Sequence, residues 1–270
     1  TALNLFLFGL PRLSVDIDLN YIGAADRATM IAERPKLETA LEQIVGRLGL
    51  TVRRAPTDHA GGKWRLSYTS ALGRPAILEV DLNFMLRTPL WLPVKRDSHA
   101  FLDDRATGIT VLDDHELAAG KLAALLARGA SRDLFDTREI LTHMPLDPTQ
   151  LRLAFVVYGG INRVDWRTVS IGDVTTSASD VERQLVPMLR GDARPASVPR
   201  WTTDLIDETR SLLAKVLPLT ADEVRFLDRL NEDGHVEPEL ITDDVDLQDR
   251  LRAHPGLLWK ALNVRKHRGG

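Results

Sequence analysis

Residues Leu13-Ser-Val-Asp-Ile-Asp-Leu19 alternate polar and apolar side chains with a period of two. That pattern predicts a β-strand with one face turned to a core and the other turned away from it. Val15, Ile17 and Leu19 are expected on the core face, and Ser14, Asp16 and Asp18 on the opposite one. Two carboxylates side by side repel, which costs stability unless something positive lies between them. Ile77-Leu-Glu-Val-Asp-Leu-Asn-Phe84 repeats the arrangement, with Glu79, Asp81 and Asn83 on one face. Paired strands of this kind suit a divalent cation. Magnesium, or manganese in its place, takes hard oxygen ligands and keeps water positions that substrate phosphates can fill. Two such ions ~3.5–4 Å apart can clamp an attacking and a leaving oxygen. Taken alone, an Asp-x-Asp strand is more often plain solvent-facing polarity, so the acids nominate a site without settling it.

The remaining composition narrows the field. With 270 residues and 44% hydrophobic content, the chain can bury a real core, as one large domain or two small ones. A net charge of -3 offers no overall basic field for nucleic acid, although a local patch remains compatible with it. The absence of cysteine excludes disulfides, thiolate zinc sites and cysteine nucleophiles, and it fits a reducing cytoplasm. Thr1–Leu10 is apolar, but it is too short to span a bilayer and no basic residues precede it, so neither a membrane anchor nor a signal peptide is expected. The abrupt start reads as the inside of a structured segment, with residues expected upstream.

Along the chain, Thr1–Phe8 reads as the tail of a helix closed by Gly9 and Pro11, and Pro35–Leu48 as an amphipathic helix stopped by Gly49. Thr51–Arg54, Lys63–Thr69 and Ala76–Phe84 read as strands, with a turn over Asp58–Gly62. His115–Arg128 is a strong helix capped by Asp113 or Asp114, and Ser131 is the expected cap of a helix over Arg132–His143. Leu151–Tyr158 fits helix or strand equally. Helices are expected over Val181–Leu189, Thr202–Val216, Thr220–Asn231, Asp246–His254 and Pro255–Asn263. The fold class is therefore α/β (α+β), with an α/β catalytic half over 1–145 and a mainly helical half over 146–270.

Lys121 lies among small and apolar residues in Leu117-Ala-Ala-Gly-Lys-Leu-Ala-Ala-Leu-Leu126, where its stem can snorkel to solvent or its charge can meet a triphosphate. Arg132-Asp-Leu-Phe-Asp136 follows. Its acids, three apart, share a helix face and complement the helix dipole, or else orient Lys121 or a substrate. Arg12 and Ser14 add donors suited to phosphate, and Thr220 with Glu223 forms a capping box.

Taken in order, Thr1-Ala-Leu-Asn-Leu-Phe, Leu10-Pro-Arg-Leu-Ser-Val-Asp-Ile-Asp-Leu19, Lys121–Arg128, Arg132-Asp-Leu-Phe-Asp136 and His254-Pro-Gly-Leu-Leu-Trp-Lys-Ala-Leu-Asn-Val264 resemble the AbiEii/AbiGii family of nucleotidyltransferase-like toxins, especially the MenT toxins of mycobacteria. The resemblance implies a DNA polymerase β-like nucleotidyltransferase core with a helical C-terminal region. It implies a glycine pair before Thr1 that cradles phosphate, and metal held by Asp16, Asp18 and Asp81. Lys121 corresponds to a catalytic-site lysine on the nucleotide, and Asp133 and Asp136 to the last acidic motif, either of them catalytic. Arg12, Ser14 and Arg132 are expected on the nucleotide side. The implied reaction is transfer from a nucleoside triphosphate to the 3′ end of a tRNA, which blocks translation and growth. The implied partners are the triphosphate, the tRNA and an antitoxin of kinase-like or repressor type that need not bind directly; in some relatives a kinase-like antitoxin modifies the serine matching Ser14. No membrane is involved. A metal-dependent nuclease or phosphoesterase and a non-catalytic acidic binding protein are the competing readings.

Overall fold

Alternating apolar residues on three neighbouring strands build the small sheet of the protein, seen here in a computed structural model that describes residues 2–9, 11–14, 16–56 and 61–268. Its order is β1 (Asp16–Asn20), β4 (Pro75–Asn83), β3 (Gly61–Thr69), β2 (Thr51–Arg54). β1 runs parallel to β4, and the other neighbours are antiparallel. Trp64, Leu66, Val80 and Leu82 point to one face and are buried. Helix α1 (Arg27–Arg47) covers that face. Its Met30 joins Tyr21, Leu82 and Phe84, and its Val45 joins Trp64, Leu66 and Val80. At the start of β3, Gly61 has φ 102°, and a Cβ there would stand 2.0 Å from the Leu82 carbonyl oxygen, so only glycine permits this pairing.

Two expectations change in this region. The helix starts at Arg27 rather than at Pro35, because the Asp26 side chain accepts from the Thr29 amide and caps it there. Pro35 costs one backbone hydrogen bond inside the helix, while Arg34 pairs with Glu38 across the same turn. Ile17 and Leu19 lie on the same side as Val80 and Leu82 by register, yet they are 39% and 42% exposed. β1 is outermost in its sheet, and the buried residues of α1 rest on β3 and β4. Val15 and residues 58–60 of the expected Asp58–Gly62 turn lie outside the described residues, and Gly61 and Gly62 already belong to β3.

Contacts group the chain into two compact units. One comprises Ser14–Pro89 with Ala253–Gly256; the other comprises Ala2–Leu13, Leu90–Arg252 and Leu257–Gly270. The expected boundary near 145 falls inside the second unit.

That unit opens with a π-helical turn over Leu3–Leu7. It contains a hairpin of β5 (Val94–Arg96) and β6 (Ile109–Val111), which the sequence reading did not anticipate. Its core is formed by α2 (Asp114–Arg128), α3 (Ser131–His143) and α4 (Pro148–Ile161). Asp113 caps α2, and Gly129 ends it in the left-handed conformation. α3 is preceded by Ala130 rather than capped by Ser131: Ser131 is already in the helix, and its amide donates to Asp180. Leu151–Tyr158 is helical, because Pro148 opens α4 and Asp147 accepts from the Thr149 and Gln150 amides. His115 has a capping role, its Nε2 accepting from the Asp147 amide. Beyond it, α5 (Ala178–Asp180) runs into π and 3₁₀ turns over Val181–Met188. It is followed by α6 (Val198–Leu212), α7 (Ala221–Asp228) with its Thr220–Glu223 capping box, α8 (Val245–Arg252) and α9 (Pro255–Arg268). Among the described residues, no helix is long and apolar enough to cross a membrane.

Among the described residues, the acid Glu116 lies buried between these helices with no cation partner. Glu116 is 2% exposed, and it accepts from the Tyr158 hydroxyl and the Trp91 amide. Burial pushes its carboxyl from 4.5 up to about 7. A carboxyl that binds its proton more tightly folded than unfolded loses stability as pH rises from about 4.5 to about 7, here on the order of 3 kcal/mol. Glu116→Gln keeps both hydrogen-bonding positions without the charge. We expect its urea-unfolding stability to be level across that range, while the parent's falls; equal pH slopes would refute the assignment.

Candidate functional site

The parallel pairing of β1 with β4 sets Asp16 opposite Glu79, Asp18 opposite Asp81 and Asn20 opposite Asn83. In-register side chains share a face, so four acids stand together on the face away from α1. The electrostatics follow. The Asp81 carboxyl is raised, first by burial and then by the charges of Asp18, Glu79 and Asp16, against a lowering by Lys63. Glu79 is lowered, because Lys63 and Arg65 donate to it at 2.9 and 2.8 Å. Lys63 stands opposite Asp81, and Arg65 opposite Glu79, across β3 and β4, so both cations share this face, and Lys63 is the one level with Asp81. The sequence reading passed over it, although the alternation Lys63-Trp64-Arg65 marks it as polar-side. Asn83 is turned to structure, since its side-chain oxygen accepts from the Met85 and Leu86 amides and closes the strand. Beside the acids lies an open cavity of about 700 Å³, with Arg54, Lys63, Arg65 and Glu79 in its lining.

The donor set fits magnesium in kind: hard carboxylate oxygens, mutually repelling, on adjacent strands. Among the described residues, no group of three or more His, Asp or Glu side chains is already drawn together around one cation position. The fit is thus to an ion held by the facing Asp18 and Asp81 with Asp16 beside them, its other positions left to water and phosphate. Ser14 is half-buried just before this strand.

The second unit gathers the other expected residues into an ion network. Lys121 Nζ lies 3.0 Å from Asp133 and 3.1 Å from Asp136. Arg12 donates through Nε and a terminal nitrogen to both oxygens of Asp136. Arg128 grips Asp133 in the same two-pronged way. Arg12, Asp133 and Asp136 are at most 5% exposed. Burial alone would raise both carboxyls, but Arg128 and Lys121 at Asp133, and Arg12 and Lys121 at Asp136, hold them below the ordinary carboxylate range. Arg132 is half-buried and forms no ion pair among the described residues. Two members escaped the sequence reading. Arg128 looks like an ordinary helix-end cation. Asn4, 1% exposed, donates to Asp136 at 3.4 Å, and the only hint was a polar residue inside an apolar run.

No curated protein matches the chain. Among solved structures, the nucleotidyltransferase toxin MenT4 from Mycobacterium tuberculosis is similar in fold, with a TM-score of 0.62 at 21% identity over 95% of this chain and 82% of the other. The sequence model described as "Nucleotidyl transferase AbiEii toxin, Type IV TA system" matches residues 1–222, most of the chain. With its acid-faced sheet and its Lys121–Asp133–Asp136 network, the chain belongs to the AbiEii family of nucleotidyltransferase toxins, from type IV toxin–antitoxin systems.

Proposed function

We propose that this toxin transfers a nucleotidyl group from a nucleoside triphosphate to a terminal RNA hydroxyl, the 3′ acceptor end of a tRNA, and so stops translation and growth. The observation that carries the reading is the in-register facing of Asp18 and Asp81 on parallel strands, with Asp16 on the same face. Asp16 and Asp18, with Asp81 facing Asp18, would hold magnesium or manganese, which when bound would screen the charge of the triphosphate. Asp81, already short of full ionisation ease, takes the proton of the attacking hydroxyl. The new bond joins that oxygen to the α-phosphorus, and the bond to pyrophosphate breaks. Lys121 offsets the charge gathering on the phosphates. Asp133 and Asp136 orient Lys121, and Arg12, already spanning Asp136, positions that acid. Arg132 remains available to phosphate. The partners are the triphosphate, tRNA and a cognate antitoxin, in a cytoplasmic setting, with Ser14 the residue a kinase-like antitoxin would modify.

The test is incubation of the chain with α-labelled nucleoside triphosphates, tRNA and magnesium, followed by gel separation. Label joining the tRNA, and lost with a chelator, is the expected result. RNA shortening without incorporation would favour the hydrolytic reading, and incorporation unaffected by the chelator would remove the metal from the scheme.

A further inference from the structure

Helix α9 closes one side of a cavity of about 420 Å³ in the second unit, lined in part by Asn162, Arg163, Asn231, Trp259, Lys260 and Arg268. Its size is within the ~300–1,000 Å³ range of small-ligand sites. Trp259 is 45% exposed, whereas Trp64 and Trp166 are buried and Trp91 and Trp201 pack against the core. An indole left open beside amides and cations is not explained by packing. Three side-chain amides line the cavity, Asn263 being the third, and the buried side-chain oxygen of Asn231 has no hydrogen-bond partner among the described residues. Arg163 is exposed and makes no ion pair among the described residues. Lys260 donates to the Asn162 carbonyl at 2.8 Å, and burial lowers its ammonium, with Asp165 nearby opposing that. Arg268 is shared with Asp233. The cations of the last turn, Arg265, Lys266 and Arg268, also complement the helix dipole, but that accounts for neither Trp259 nor the amides.

We propose that this cavity is a nucleotide-binding subsite for single-stranded RNA. A base stacks on Trp259, its polar edge meets the Asn231 and Asn263 amides, and Arg163 and Arg268 take the flanking phosphates. The proposal rests on the reading of the chain as an RNA-directed transferase and adds to it a second contact for the acceptor. Asn231, Trp259, Lys260, Asn263 and Arg268 lie beyond the residues matched by the family, 1–222, whereas Asn162 and Arg163 lie within them.

Binding is separable from chemistry, so the test uses fluorescence anisotropy of a short fluorescein-labelled single-stranded RNA on the Asp81→Asn chain, which is silent in transfer under the proposed scheme. Trp259→Ala is expected to weaken binding about tenfold, the worth of one base stack, and Trp259→Phe to restore most of it. Arg163→Ala is expected to lower the slope of log affinity against log salt by about 0.7. Unchanged affinity in Trp259→Ala, with circular dichroism showing a folded chain, would overturn the proposal. So would equal competition by a free nucleoside monophosphate, which would make the cavity a mononucleotide site. Absence of transfer in the parent chain with binding intact would sink the transferase reading and leave the subsite standing.

Discussion

Asp81→Asn is expected to cut nucleotide incorporation by roughly 10²–10³-fold or more while raising the thermal midpoint of the sheet unit. The two effects have one cause. Folding sets Asp81 in a half-buried place facing Asp18 and near Glu79 and Asp16, where its carboxyl is raised by burial first and by those charges next. An ionised group raised in this way subtracts from stability above its unfolded pKa, and a neutral amide of the same shape removes that cost. The same amide cannot accept the proton of an attacking hydroxyl, and it is a poorer cation ligand. Calorimetry alongside the incorporation assay reads both quantities. Loss of activity together with a lower midpoint would mean that the carboxylate is structural; full activity would take Asp81 out of the chemistry.

Asp136→Ala should destabilise the second unit by about 3–5 kcal/mol, because it leaves the Arg12 guanidinium buried without its carboxylate and strips Lys121 of one of two. For a domain of this size the unfolding midpoint drops on the order of 10 °C. The pH dependence has a definite sign. Asp133 and Asp136 are held below the ordinary aspartate value of 3.8, so their contribution is complete above that value and drains away as pH falls beneath it. This is opposite in direction to Glu116, whose cost appears on the alkaline side. A double change, Arg12→Met with Asp136→Leu, removes both charges and fills the space, and it should unfold at a higher temperature than Asp136→Ala alone. If the double variant is the weaker of the two, an uncompensated cation is not the reason for the loss.

How far the sequence alone reaches is best seen residue by residue. Alternation placed Asp16 with Asp18, and Glu79 with Asp81, because period two needs only backbone geometry. It could not tell that Ile17 and Leu19 would stay half open, since burial depends on which strand lies at the rim of the sheet, a fact of topology. Asp113 and Thr220 announced their helices through local capping chemistry, whereas the cap at Asp147 went unread and left Leu151–Tyr158 open between helix and strand. Pro35 misled for the same local reason: a helix start is its usual place, and only the cap at Asp26 moved the boundary upstream. The network around Lys121 was visible as pieces, but the union of Arg12 with Asp136 spans 124 positions, and no periodicity encodes a pairing of that length. Asn4 and Lys63 went unread because each matters only through the neighbour that the fold supplies.

The position of β1 at the rim has a further physical meaning. A strand bonded in its sheet on one side only is a template on which another chain can grow, and Ile17 and Leu19 would make such growth adhesive. Asp16 and Asp18, interleaved with them, charge that template and discourage self-association. The pair that nominates the chemistry thus also guards solubility, and Asp81, one strand inward, is the acid whose loss separates the two duties.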